Sequence, residues 1–158
     1  MFTLIHHNSL RRNFMRGAFV LAILLCLFTG CKTDTDDVFV LQGTWASAWD
    51  SYVITSTTVH YEMFDAQLKG NIAELVEFTD NAGVLIIEVT ETADFIQNQI
   101  GWFTGVYYKE GTKNSIKMGN AIDSSYDPVE VSTLEEALSL FTVDNAETHI
   151  EMWGSYTK

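Results

Sequence analysis

Glu147, His149 and Glu151 are spaced two apart near the C-terminus. On an extended strand that spacing sets an imidazole and two carboxylates on one face. Donors of these types bind divalent metals. His60 and Glu62 repeat the pattern earlier in the chain, and adjoining strands would bring His60 and His149 to one site. A zinc site, however, needs three or four ligands converging from more than one element. Thr148, Ile150 and Met152 alternate with the polar residues as a core-facing side would. The expected reading is a solvated face without metal, and His60, Glu147, His149 and Glu151 are candidates only if their strands adjoin. The sequence also has no Gly-x-Ser-x-Gly elbow, no His-Glu-x-x-His, no phosphate-cradling glycine loop and no cysteine after Cys31. Neither enzymatic activity nor a dissociable cofactor is expected.

The aromatic residues suggest different chemistry. Trp45, Tyr61, Trp102, Val106 and Tyr108 fall on stretches of strand character, where they are candidates to line a cavity for a small apolar ligand. The same side chains serve equally to fill a small barrel, because eight-stranded barrels are often packed by their own residues. If they fill it, some of the remaining Trp and Tyr side chains are expected to form an exposed contact patch.

The elements that must position these residues read mainly as β. Turn signals recur at Gly43, Asp50-Ser51, Lys69 to Asn71, Asp80 to Gly83, Gly101, Glu110-Gly111, Gly119-Asn120 and Ser124 to Pro128, with runs rich in Val, Ile, Thr and aromatics between them. Strands are predicted near 43–48, 52–56, 58–63, 70–79, 84–91, 102–109, 114–119 and 148–156. Ile72, Leu75 and Val76 also fit a helical period. The short loop from Asp80 to Gly83 into the β-branched run Val84 to Val89 nevertheless favours a hairpin. Ser132-Thr133-Leu134-Glu135 is a capping-box pattern, and Leu134, Leu138 and Phe141 follow at helical spacing, which predicts a helix over 133–142. The fold class is a barrel or sandwich of about eight antiparallel strands, with one short helix before the last strand.

The N-terminal segment directs the chain out of the cytoplasm. Arg11, Arg12 and Arg16 precede an uncharged run from Gly17 to Phe28, the arrangement of a secretory signal. As a helix the run spans roughly 18 Å, short of the ~30 Å hydrocarbon core that a stable transmembrane helix must cross. Leu27-Phe28-Thr29-Gly30-Cys31 resembles the lipobox of bacterial lipoproteins, with Phe28 where Leu is commonest. The resemblance implies that residues 1–30 are removed, that Cys31 carries covalent lipid, and that 31–38 is a tether for a single domain over 39–158. Arg11-Arg12-Asn13-Phe14-Met15-Arg16 also resembles the twin-arginine export motif, and the general secretory route stands as its alternative. The implied location is the cell envelope, on the extracytoplasmic side of a membrane. After Cys31 there are six basic against 21 acidic residues, a net charge of −15. A surface so acidic excludes sequence-independent nucleic-acid binding, which requires Lys and Arg to neutralise phosphates.

Gly43-Thr44-Trp45 at the start of the first strand, followed by a Tyr-rich hairpin and about eight strands, resembles the lipocalin-like, or calycin, barrels. The resemblance implies that Trp45 packs across the barrel base. A helix before the last strand and very short strands at 43–63 depart from that family's pattern. The expected role is binding. One expectation is a small apolar ligand held inside the barrel, and another is a protein partner met at the surface with nothing held inside. A metal at His60 and His149 is the third.

Overall fold

The computed structural model describes residues 40–93, 96–150 and 153–158, all within the compact unit Asp36–Lys158. The predicted signal peptide, Cys31, the tether and Glu151 lie outside the described residues. Among the described residues no helix is long and apolar enough to cross a membrane.

The strands are β1 (Gly43–Ala46), β2 (Asp50–Ile54), β3 (Thr58–Met63), β4 (Ala66–Thr79), β5 (Ala82–Ala93), β6 (Phe103–Lys109), β7 (Ser115–Asn120), β8 (Glu130–Val131) and β9 (Gly154–Thr157). Among the described residues a single helix, α1 (Leu134–Leu140), precedes β9. Neighbours follow the order β5-β4-β3-β2-β1-β9-β7-β6, and β5 also pairs with β6, which closes an eight-stranded antiparallel barrel. The extra strand β8 bonds to Phe103 and Thr104 of β6, beyond the reach of β7. Ring closure is thinnest between β1 and β9, which share one register pair, Ala46 with Thr157.

Side-chain hydroxyls shape the short hairpins. The Thr55 hydroxyl accepts from the backbone N–H groups of Thr57 and Thr58, and Thr112 does the same for Asn114 and Ser115. Such local bonds offer the backbone a turn in place of a continued ladder. The long pair β4–β5 keeps its expected hairpin at Asp80-Asn81, and register shifts at Lys69/Gly70, Ile72/Glu74 and Glu77/Thr79 let it curve round the ring. Gly70 sits inside that curve, where a Cβ would lie 2.9 Å from the Glu88 carbonyl oxygen and from Ile87.

Alternation along the strands divides the core in two. One set of side chains fills the barrel, among them Trp45, Tyr52, Tyr61, Leu85, Val106 and Tyr156. The opposite faces of β5 and β6 contribute Val84, Ile86 and Tyr107 to a second cluster outside the barrel, closed by Ala137, Phe141, Ala146 and Ile150. Phe141 is fully buried against Gly105, where a Cβ would meet its ring at 2.9 Å.

Two expectations change. The helix forms, but its buried face is Leu134, Ala137 and Phe141, while Leu138 is exposed. On a period of 3.6, Ala137 and Phe141 fall to one side of Leu134 and face the barrel, while Leu138 falls about 40° to the other side, at the edge of the stripe. The capping pair is Thr133 with Glu136, one residue later than predicted: the Thr133 hydroxyl accepts from the Glu136 N–H and donates to its carboxylate. The last strand begins at Gly154, not near 148. Residues 143–148 form turns instead, with the Asn145 carbonyl accepting from the N–H groups of Thr148 and His149.

Candidate functional site

The registers place the connections at two ends of the barrel. The entry rim holds the start of β1, the C-terminal Lys158 and the turns at 55–57, 80–81 and 110–114. The far rim holds the turns at 47–49 and 64–65, the connection from β5 to β6 and the excursion 121–129.

At the far rim two hairpin tips turn aromatic rings to solvent. The Ser47 hydroxyl accepts from the N–H groups of Trp49 and Asp50, which turns the chain and leaves Trp49 71% exposed. Phe64, 66% exposed, heads the β3–β4 turn with φ 55°. That left-handed conformation is uncommon for a bulky residue. The register pairs Asp50 with Met63, so the two tips adjoin, and the rings of Trp49 and Phe64 stand 6.4 Å apart at 56°.

Beneath the tips the barrel mouth is closed by phenols around one carboxylate. Tyr156 donates to Asp50 Oδ2 at 2.6 Å, and the Ser47 hydroxyl donates to Oδ1 of the same residue. Tyr52 donates to Asn120 Oδ1 at 3.1 Å, and its ring lies 4.7 Å from Tyr61 and 5.2 Å from Tyr156. Burial, then the neighbouring Tyr156, Tyr61 and Asp50, pushes the Tyr52 hydroxyl well above the usual phenol range. Burial likewise raises Tyr61 and Tyr156, with Asp50 adding to both. Both Asp50 oxygens are engaged, so the residue fastens the hairpin to the last strand.

Of the residues predicted to line a cavity, Trp45, Tyr61, Val106 and Tyr108 do face the barrel interior, where each is buried against the others of the inner cluster. Trp45 anchors the entry rim, its indole N–H donating to the Leu41 carbonyl at 2.7 Å. Lys158 Nζ lies 4.6 Å from the centre of its ring. Burial, with Glu77 adding to it, raises Tyr108 to about 12. Trp102 precedes β6 and is only partly buried. An open groove of about 580 Å³ runs along α1, lined by Val131, Thr133, Glu135, Glu136, Ser139 and Leu140, outside the barrel.

The metal candidates do not converge. His60 lies on the outer face of β3, between Val53 and Lys69 in register. His149 meets the Tyr107 hydroxyl through Nδ1 at 3.4 Å, on the outer side of β6, three strands further round. Glu147 pairs with Lys109 at 2.7 Å, and that lysine lies 3.9 Å over the Trp153 ring. Their face-sharing expectation fails because the chain there forms turns. Among the described residues no three His, Cys, Asp or Glu side chains group to hold a metal.

Sequence reasoning missed Phe64. The repeated aromatic-Asp pairs, Trp49-Asp50 and Phe64-Asp65, each at a break between strands, were the signal available. No protein family, curated protein or solved structure matches this chain.

Proposed function

We propose that this chain is a lipid-anchored extracytoplasmic lipoprotein whose filled, lipocalin-like barrel serves as a protein-binding module. The observation that carries the reading is the pair Trp49 and Phe64, left in solvent at the mouth of a barrel whose interior is occupied by its own side chains. Burying large aromatics is a main source of binding energy at interfaces. A carrier of apolar molecules needs a cavity of a few hundred Å³ or more, which here would require Tyr52, Tyr61 and Tyr156 to leave their partners. The expected lipid on Cys31 would tether the chain at a point upstream of β1 in sequence.

A photo-crosslinking residue at position 49 tests this in producing cells, with position 53 on the outer wall as control. A defined protein adduct at 49 and none at 53 is the expected result. No adduct, combined with displacement of an apolar fluorescent probe from the purified chain by fatty acids, overturns it in favour of an internal ligand. The anchoring half of the reading is tested by Cys31→Ser, expected to release the chain from the membrane fraction.

A further inference from the structure

The far rim carries acidic side chains with no basic residue beside them. Its described connections, 47–49, 64–65, 96–102 and 121–129, contain no lysine or arginine, and they carry Asp65, Asp123 and Asp127. Beyond Val40 the basic residues are Lys69, Lys109, Lys113, Lys117 and Lys158. Lys69 is paired with Glu91 on the barrel wall. The other four lie in or beside the β6–β7 hairpin and at the C-terminus, on the entry rim, where Lys109 and Lys117 neutralise Glu147 and Glu110. The entry rim sets these lysines beside Glu77, Asp80, Glu110 and Glu147, whereas the described far-rim connections carry acidic side chains and no basic ones, so the field at the far rim is negative.

Within that field stand the two rings. Trp49 and Phe64 are inclined at 56° with centroids 6.4 Å apart, so they pack against each other as a tilted pair and leave their outer faces to solvent. Glu62 and Asp65, both exposed, flank Phe64 on the same hairpin, and neither forms an ion pair among the described residues. The face of an aromatic ring attracts a cation, and a guanidinium stacks on it while its N–H fork meets carboxylates. An anionic membrane would instead meet like charge from Glu62, Asp65, Asp123 and Asp127.

We infer that the far rim binds a cationic segment of a partner protein, an arginine or lysine side chain stacking on the exposed rings of Trp49 and Phe64 with Glu62 and Asp65 as its counter-charges. The inference rests on the reading of this rim as a protein-binding surface and names the chemistry of the partner. The aromatic pair supplies selectivity, and the surrounding carboxylates supply steering that weakens with salt.

The test uses the full chain carrying Cys31→Ser, with a dye-labelled decapeptide of alternating Arg and Gly followed by fluorescence anisotropy at about 0.15 M salt. Saturable binding is expected, weakened about tenfold by either Trp49→Ala or Phe64→Ala, weakened less by Asp65→Asn, and unchanged by Val53→Ala. The matching Asp-Gly peptide should not bind. Circular dichroism checks that each variant is folded. Absence of Arg-Gly binding overturns the inference, as does equal binding by the Trp49 and Phe64 variants, which would mean unspecific charge attraction. Trp49-dependent binding to phosphatidylglycerol vesicles overturns it in favour of a membrane surface. A crosslinked protein at position 49 without Arg-Gly binding leaves the rim as an interface and removes only its cationic partner.

Discussion

The hydroxyl of Tyr156 on the last strand reaches Asp50 on the second at 2.6 Å, bonding inside the barrel across the seam where β1 and β9 share one register pair. A charge-assisted bond at this position is worth about 1.5–3 kcal/mol. Tyr156→Phe should lower the urea midpoint by an amount corresponding to the low end of that range, with an unchanged slope. Tyr126→Phe, at an exposed loop tip, should leave the midpoint where it is.

Alkali should open the barrel through its phenols. Tyr52, Tyr61, Tyr108 and Tyr156 all have hydroxyls raised by burial, Tyr108 to about 12. Because the folded-state values exceed the unfolded value of about 10, this stability is complete below pH 10 and is lost as pH climbs through the folded values. Phenolate absorbance from the buried tyrosines is expected to rise together with loss of the β-sheet signal. An early, separate rise of most of that absorbance would show the mouth to be open to water.

Acid should act through His149, whose folded value is lowered by burial beside Tyr107 and Phe141. The unfolded chain takes up the proton first, so this contribution is complete above about pH 6.5 and is lost as pH falls through the depressed folded value. Replacing His149 by Gln should flatten the dependence of stability on pH between about 7 and 5. Glu147, lowered by its hydrogen bond from Lys109 and by that lysine's charge, titrates at more acid pH and leaves this interval to the imidazole.

The outer cluster depends on one ring. Phe141 is fully buried between Tyr107, His149 and the bare backbone at Gly105. Phe141→Ala should cost about 3–5 kcal/mol, the range for truncating a buried aromatic. Gly105→Ala forces that ring outward and should destabilise in the same direction, both read as lowered thermal midpoints.

Residues near in sequence announced themselves better than residues brought together by closure. The strand at 58–63, the hairpin at Asp80-Asn81 and the helix before the last strand follow from β-branched alternation, a short polar turn and a capping pattern. Trp45, Tyr61, Val106 and Tyr108 also fell on the inward face, because a period of two along a strand fixes which side chains share a side. The bond between Asp50 and Tyr156 spans 106 residues and has no local signature. Alternation from Thr148 to Met152 imitated a strand, whereas residues 143–148 form turns in which the Asn145 carbonyl accepts from Thr148 and His149. Phe64 escaped notice because a positive φ at an aromatic is a property of the closed hairpin, with no counterpart in composition.

The run Val84-Leu85-Ile86-Ile87 has high β propensity, no charge and no proline, and a free segment of that kind stacks readily into cross-β fibrils. In the closed ring it is sealed on every side. β4 and β6 take up its two backbone edges, the inner cluster covers Leu85 and Ile87, and the outer cluster covers Val84 and Ile86. Aggregation risk is thus confined to the interval before the barrel closes, and any substitution that delays closure of the seam lengthens the time for which this segment can recruit another copy of itself.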